Sequence, residues 1–345
     1  MENGLEVTKN YYASTRISNS LLKAIQSPRI LQLKKEKPEL FEGEDKTSFK
    51  IGSAVDCLLT APREWEHRYR VSFVYKPYGP MGTFIQNLPP HLSADSDVVN
   101  FEKAYWLSGY KMSIKWVLDK FWGNKDNVDY YNTVNNCPEG ITVLAKDEYD
   151  SVVKAVELVT ASPYAQNYFV KSKTWEERLH QVPIYFQYKN QDFKALLDGI
   201  LINHKDKTID PFDLKTTGKS VYLFKESYLM YGYYTQAALY NYAIQQPESP
   251  VYNLIQEGYK ILDFKFIVAE TKVSAHNPAI IFETTTNDIE VGLKGGFHKD
   301  TYYKGIDQLL EDYLWHIEHN EWVYPRSVYE NNGKVTLNVF ENART

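Results

Sequence analysis

Apolar residues recur at helical spacing near the start of the chain. Leu21, Leu22 and Ile25 follow Ser18 and Asn19, either of which can cap a helix. Pro28 can open a second helix, with Ile30, Leu31 and Leu33 apolar and Lys34-Lys35-Glu36-Lys37 at its end, where cations suit the dipole. A third helix is predicted from about Ser48 to Thr60, before Pro62. Its stripe is Ile51, Val55, Leu58 and Leu59, and Gly52, Ser53 and Asp56 lie on a neighbouring face. Residues 76–96 are rich in Pro and Gly and read as a loop. Residues 97–122 read as one long amphipathic helix, followed by a loop with Asn132, Asn135, Asn136, Pro138 and Gly140. A helix over about 147–162 turns Val152, Val153, Val156 and Val159 inward.

Beyond residue 180 the pattern becomes strand-like. Val182–Tyr188, Phe193–Ile202 and Thr208–Thr217 read as three strands, joined by turns at Asn190-Gln191 and at 204–207. Pro211 marks a bulge or a sheet edge. A helix over Ser227–Gln245, strands near 263–270 and 279–284, and a helix at about 301–319 complete the order. Helices, a three-strand antiparallel meander, a helix, strands and a helix predict a mixed α/β layer. The chain reads as one domain over 1–345: a helical part to 75, an inserted 76–140 segment, a core over 141–325 and a tail from 326.

Composition narrows the classes. Of 345 residues, 43% are apolar and 24% charged, ordinary for a soluble globular protein. Two cysteines, Cys57 and Cys137, cannot supply four thiolates, so no iron–sulfur cluster is expected, and a reducing compartment fits. The Met1–Glu6 start has neither a basic nor an apolar signal region, and no window is apolar enough to span a membrane. A cytoplasmic protein without membrane contact is therefore expected. The net charge of −5 disfavours coating nucleic acid through bulk charge, yet leaves room for a local groove. Tyrosine is in excess, at 28 residues.

Candidate chemistry sits on the second hairpin. If its turn closes symmetrically, with Asn203 opposite Thr208, counting back puts Asp198 opposite Asp213. Facing residues have Cβ atoms about 5 Å apart, and like charges there repel. A hard divalent cation, Mg²⁺ or Mn²⁺, is the simplest reason for such a pair. Strand period puts Lys215 on the face of Asp213. Two acids, a cation and an amine suit phosphodiester hydrolysis. An acid-x-Lys triplet alone is common here; Asp263/Lys265 is another. A surface salt bridge is the ordinary alternative.

Asp213-Leu214-Lys215-Thr216-Thr217, preceded by Leu197-Asp198-Gly199, resembles the core of PD-(D/E)XK nucleases, in particular the RecE-like (exonuclease VIII type) phage and prophage exonucleases. Gly52–Leu59 resembles their N-terminal Gly-Thr-Ala-Val-His-x-Leu-Leu helix, and Tyr233–Tyr240 their Tyr-x-x-Gln-x-x-x-Tyr helix. Ile17-Ser18-Asn19-Ser20 with Ser27-Pro28 resembles their start. The likeness runs in order from about residue 14 to 323. It implies a restriction-endonuclease-like core, with Asp198, Asp213 and the Leu214 carbonyl as metal ligands and Lys215 as the catalytic lysine. Gln236 and Tyr240 would brace the site and the DNA backbone, and helical spacing puts Tyr233 on the same face. Asp56 stands where many relatives carry His, and is kept as a ligand or supporting acid. No Pro precedes Asp198, and Gln181 lies near where relatives often carry Glu.

The resemblance further implies Mg²⁺-dependent, 5′→3′ digestion of duplex DNA from free ends, a homo-oligomer, and a single-strand annealing partner protein. An endonuclease or repair nuclease, and a non-cutting DNA- or protein-binding relative, remain open alternatives. Gly218-Lys219-Ser220 lacks the upstream Gly of a phosphate loop, so no ATP site is expected, although Lys219 can touch a DNA phosphate. His316 and His319 lack a zinc motif and are expected on an exposed helix face. Lys34–Lys37 reads as a solvated helix end, while Arg16, Lys23 and Arg29 are candidates for a DNA entrance.

Overall fold

The computed structural model describes residues 10–41, 47–135, 137–138, 140–170 and 173–335. The Met1–Glu6 start, Asn136 of the expected loop and residues 336–345 of the expected tail lie outside them. The strands are β1 (Tyr69–Val71), β2 (Thr142–Leu144), β3 (Glu176–Tyr188), β4 (Gln191–Asn203), β5 (Thr208–Thr217), β6 (Lys260–Ile261), β7 (Lys265–Glu270), β8 (Ile280–Glu283), β9 (Gly296–His298) and β10 (Thr301–Tyr303). The main sheet runs β3-β4-β5-β7-β8, with β6 beside the start of β5. The expected β3–β4–β5 meander is antiparallel, β7 joins parallel to β5, and β8 returns antiparallel. The result is a mixed sheet flanked by helices, the mixed α/β layer expected.

The 204–207 turn closes as counted. Asn203 pairs Thr208, and the ladder continues in step to Gly199 opposite Phe212. Pro211 forms no bulge; it pairs Ile200 in register. On the other side of β5, β6 covers Thr208 and Ile209 and β7 begins at Phe212. Pro211 therefore sits where the neighbouring strand is interrupted, and its missing N–H leaves no ladder partner unmet there.

The helices used below are α1 (Asn19–Ala24), α2 (Pro28–Glu36), α3 (Thr47–Thr60), α4 (Gly79–Gln86), α5 (Val99–Ser108), α6 (Ile114–Trp122), α7 (Lys125–Asn135), α8 (Lys146–Ala161), α9 (Phe224–Met230), α10 (Tyr233–Ile244), α11 (Thr286–Lys294) and α12 (Ile306–His319). Ser18 caps α1, accepting the Leu21 N–H through its hydroxyl. Strand period divides β5 and β7 between two cores. Phe212, Leu214, Ile267 and Ala269 pack with Ile51, Val55, Val152 and Val159 of α3 and α8. Phe266 and Val268 pack with α10 and α12 on the opposite face. Asp213 and Lys215 alternate with Phe212 and Leu214, as period two requires.

Several elements differ from the sequence expectation. The 76–96 loop contains α4, whose Met81, Phe84 and Ile85 are buried. The 97–122 helix is two, α5 and α6, because Gly109 adopts the left-handed conformation at φ 72°. The loop expected next is largely helix α7, with Tyr130 and Tyr131 inward. Ser227–Gln245 is likewise divided at Gly232, φ 61°. Helix α11 and the β9–β10 ribbon lie where no element was expected, so α12 begins at Ile306 rather than 301. Tertiary burial supplies what local pattern did not.

The 76–140 segment has its own core, in which Phe84, Phe101, Val117, Phe121 and Tyr131 meet. It leaves and rejoins the chain through the parallel β1–β2 pair. Among the described residues no helix is long and apolar enough to cross a membrane.

Candidate active site

Three elements bring the acids together. Asp213 stands on central strand β5, beside β7, and is buried. Asp198 lies on β4, one residue past the last ladder pair, and its Oδ2 accepts the Leu214 N–H at 2.8 Å. The two strands separate at that point, so Asp198 turns onto the β5 backbone instead of completing a pair. The neighbouring Gly199 makes room for the buried Phe212 ring across the ladder: a Cβ there would lie 2.1 Å from it. Asp56 comes from α3, which approaches β5 at Gly52, where a Cβ would be 3.1 Å from Thr216 Oγ1.

Asp213 is held from two sides. Gln236 of α10 donates from Nε2 to Asp213 Oδ1 at 2.6 Å. The Lys215 ammonium lies against Oδ2, which has no aligned hydrogen-bond donor among the described residues. Burial pulls the Lys215 amine down, but Asp213 and Asp198 outweigh it and its pKa ends above the usual lysine value. Its Nζ is also 4.9 Å from the centre of the Tyr233 ring.

Raised carboxyl groups are the electrostatic signature. Burial first, then Asp213 and Asp56, raise the Asp198 carboxyl well above the usual range, with Lys215 and the Leu214 N–H opposing. Asp56 is pushed up to about 7, by burial and by Asp213 against the pull of Arg68. Its Oδ2 accepts from Gln181 Nε2 at 2.9 Å. Gln181 sits on β3 at φ 50°, between the pairs His180–Gly199 and Val182–Leu197. A residue in that conformation within a strand is strained and marks a functional site more often than a random position. Gln181 is thus the neutral partner of Asp56, a role nothing in its spacing signalled.

A second cation stands behind Lys215. Lys23 of α1 donates to the Tyr231 carbonyl at 2.9 Å and lies 5.6 Å from the Tyr233 ring centre. Burial and the nearby Lys215 lower its pKa to about 8. Of the entrance candidates only Lys23 reaches the centre. Arg16 lies over Tyr185, and exposed Arg29 bonds Gln32.

Two expectations need correction. Tyr240 is buried against Phe264 and is linked to Gln236, which removes it from contact with a DNA backbone. His316 is buried, not on an exposed face. Lys219 is exposed just beyond β5, and Tyr233 is half-buried beside both lysines. Asp56, Asp198 and Asp213 interact electrostatically, yet among the described residues no three His, Cys, Asp or Glu side chains close on one point as a metal-binding group. Asp56 stands off, held by Gln181. The donor set that fits a hard cation is Asp198, Asp213 and the Leu214 carbonyl. The poorly satisfied Asp213 Oδ2 and the raised Asp198 carboxyl are what such a cation would relieve.

Another buried acid-lysine group is a useful contrast. Lys265 bonds Asp210 at 2.7 Å and meets Glu283 at 3.0 Å, and Tyr168 donates to Asp210 at 2.8 Å. Every charge there has a partner, so that cluster is structural.

No family model matches the chain, and no curated protein matches it in sequence. One similar solved structure is a "Putative exonuclease" from Eubacterium rectale, at 12% identity and a TM-score of 0.47, covering 97% of this chain and 95% of that one.

Proposed function

We propose that the chain is a metal-dependent deoxyribonuclease that digests duplex DNA from an end. The observation that carries this reading is the juxtaposition of Asp198, Asp213 and Lys215, with Gln236 holding one acid and burial and mutual repulsion raising the Asp198 carboxyl. Active sites are where burial and like charges are arranged to shift carboxyl groups this way. The PD-(D/E)XK resemblance, with its restriction-endonuclease-like core, adds the RecE-like assignment and 5′→3′ polarity.

Asp198, Asp213 and the Leu214 carbonyl would hold Mg²⁺ or Mn²⁺. Bound there, the ion would supply neutralisation of phosphate charge and a more acidic water. Lys215 is held as an ammonium beside Asp213, so it acts as a cation that orients phosphate or water and takes up no proton. Gln236 fixes the Asp213 carboxylate by donating to Oδ1, leaving Oδ2 for the ion and the lysine. Lys23 adds positive charge behind Tyr233. Lys219 lies where a phosphate can reach it. Free-ended duplex, an annealing protein and assembly into a homo-oligomer belong to the same reading.

End-labelled linear and closed circular DNA incubated with Mg²⁺ test it. Loss of label from linear DNA alone is the expected result, and Asp213→Ala should reduce it at least a thousandfold. Cutting of closed circles would favour an endonuclease. Activity surviving Asp213→Ala would remove this site from the chemistry.

A further inference from the structure

A cleft of about 600 Å³ lies between α1, the Tyr231–Gly232 turn, the β9–β10 ribbon and α12. That volume suits a ligand of nucleotide size. Lys23 belongs to this cleft and to the carboxylate centre alike. The lining carries Lys23, Lys304 and Arg326 against one acid, Asp312, in a chain of net charge −5. Asp312 pairs with Lys304 at 2.6 Å and with Arg326 at 4.0 Å, and Glu330 outside the lining holds Arg326 at 2.7 Å. Two tyrosines in the lining show large exposed faces, Tyr231 at 52% and Tyr302 at 46%.

His316 lines the cleft at 1% exposure, with its Nδ1 facing the Glu321 carbonyl and its Nε2 closed off from the cleft, so it forms part of the wall. The three cations suit phosphates and the two exposed tyrosine faces suit flat bases, a combination that neither a simple anion nor an apolar ligand would use.

We propose that this cleft holds an unpaired stretch of nucleic-acid strand. Its phosphates meet Lys23, Lys304 and Arg326, and its bases stack on Tyr231 and Tyr302. The proposal rests on the nuclease reading of the adjoining centre, and Lys23 joins the two.

Fluorescence anisotropy with a labelled oligothymidylate of about twelve nucleotides, in EDTA, tests it. The wild type should bind this strand more tightly than a blunt duplex of equal length. Tyr302→Ala, at an exposed ring, should weaken binding fivefold or more through lost stacking. Lys304→Gln with Arg326→Gln should weaken it tenfold or more. The slope of log affinity against log salt should shrink by about 1.4, at roughly 0.7 per phosphate contact on a single strand. Thermal melts followed by circular dichroism check that both variants fold. Unchanged affinity and slope in both variants, or a preference for the blunt duplex, would overturn the proposal. The assay scores binding without metal, so failure to cut DNA elsewhere leaves it standing, and failure here leaves the carboxylate centre standing.

Discussion

Asp56 is the residue whose environment gives the clearest solution signature. Its carboxyl is raised to about 7 by burial and by Asp213. Between roughly pH 4 and 7 the folded chain therefore keeps a proton that the unfolded chain has released. The folded state binds more protons, so its stability falls as pH rises through that window and levels off above it. In EDTA, the melting temperature should drop by a few degrees from pH 5.5 to pH 8. Asp56→Asn should reduce that drop, and added MgCl₂ should raise the pH 8 melt more than the pH 5.5 melt, because a cation competes with protons for the acids. Thermal melts by circular dichroism read all three. An identical drop in wild type and Asp56→Asn would dissociate Asp56 from the acid cluster. Asp213, Asp198 and Lys215 were legible in the sequence because a hairpin turn and strand period relate them. Gln181 and Lys23 were not placed by spacing, since each reaches the centre from a segment distant in sequence.

At the scale of elements, the β4–β5 hairpin decides where the carboxylates stand. Its register follows from a symmetric turn and an alternation that a one-residue slip would invert. Gly199, the residue after Asp198, accommodates the Phe212 ring, which fills the space above its Cα. Gly199→Ala should cost about 1–3 kcal/mol, since the buried ring has little room to move. Urea titration measures this, and a loss below about 0.5 kcal/mol would show that the ring shifts freely. DNA cleavage should fall with it, as Asp198 is displaced. Helix breaks were less legible. Gly109 and Gly232 each sit inside a continuous helical pattern, and only their left-handed conformations reveal the break.

For the whole molecule, the three cores set the division of labour. Two sandwich the main sheet, and the third lies within the segment between β1 and β2. Replacing Ser72–Ile141 by a Gly/Ser linker of about a dozen residues, enough to cross back from Val71 to Thr142 at the opposite end of the parallel β1–β2 pair, should leave a core that still melts in one cooperative transition, because the excised segment has its own core. Calorimetry or circular dichroism checks it; a broad, non-cooperative melt would mean that the segment and the sheet fold as one unit. The tyrosine excess divides along the same lines. Tyr130 and Tyr131 build the third core, Tyr240 and Tyr313 the sheet core, and Tyr231 and Tyr302 face the cleft. By itself the sequence determined the meander, its register and the pairing of two acids with a lysine, because those depend on neighbours along the chain and on strand period. Only the tertiary structure decided that Asp56 stands off on Gln181, that Lys23 backs Lys215, that Tyr240 and His316 are buried, and that a cleft adjoins the acids, because each depends on how distant segments pack.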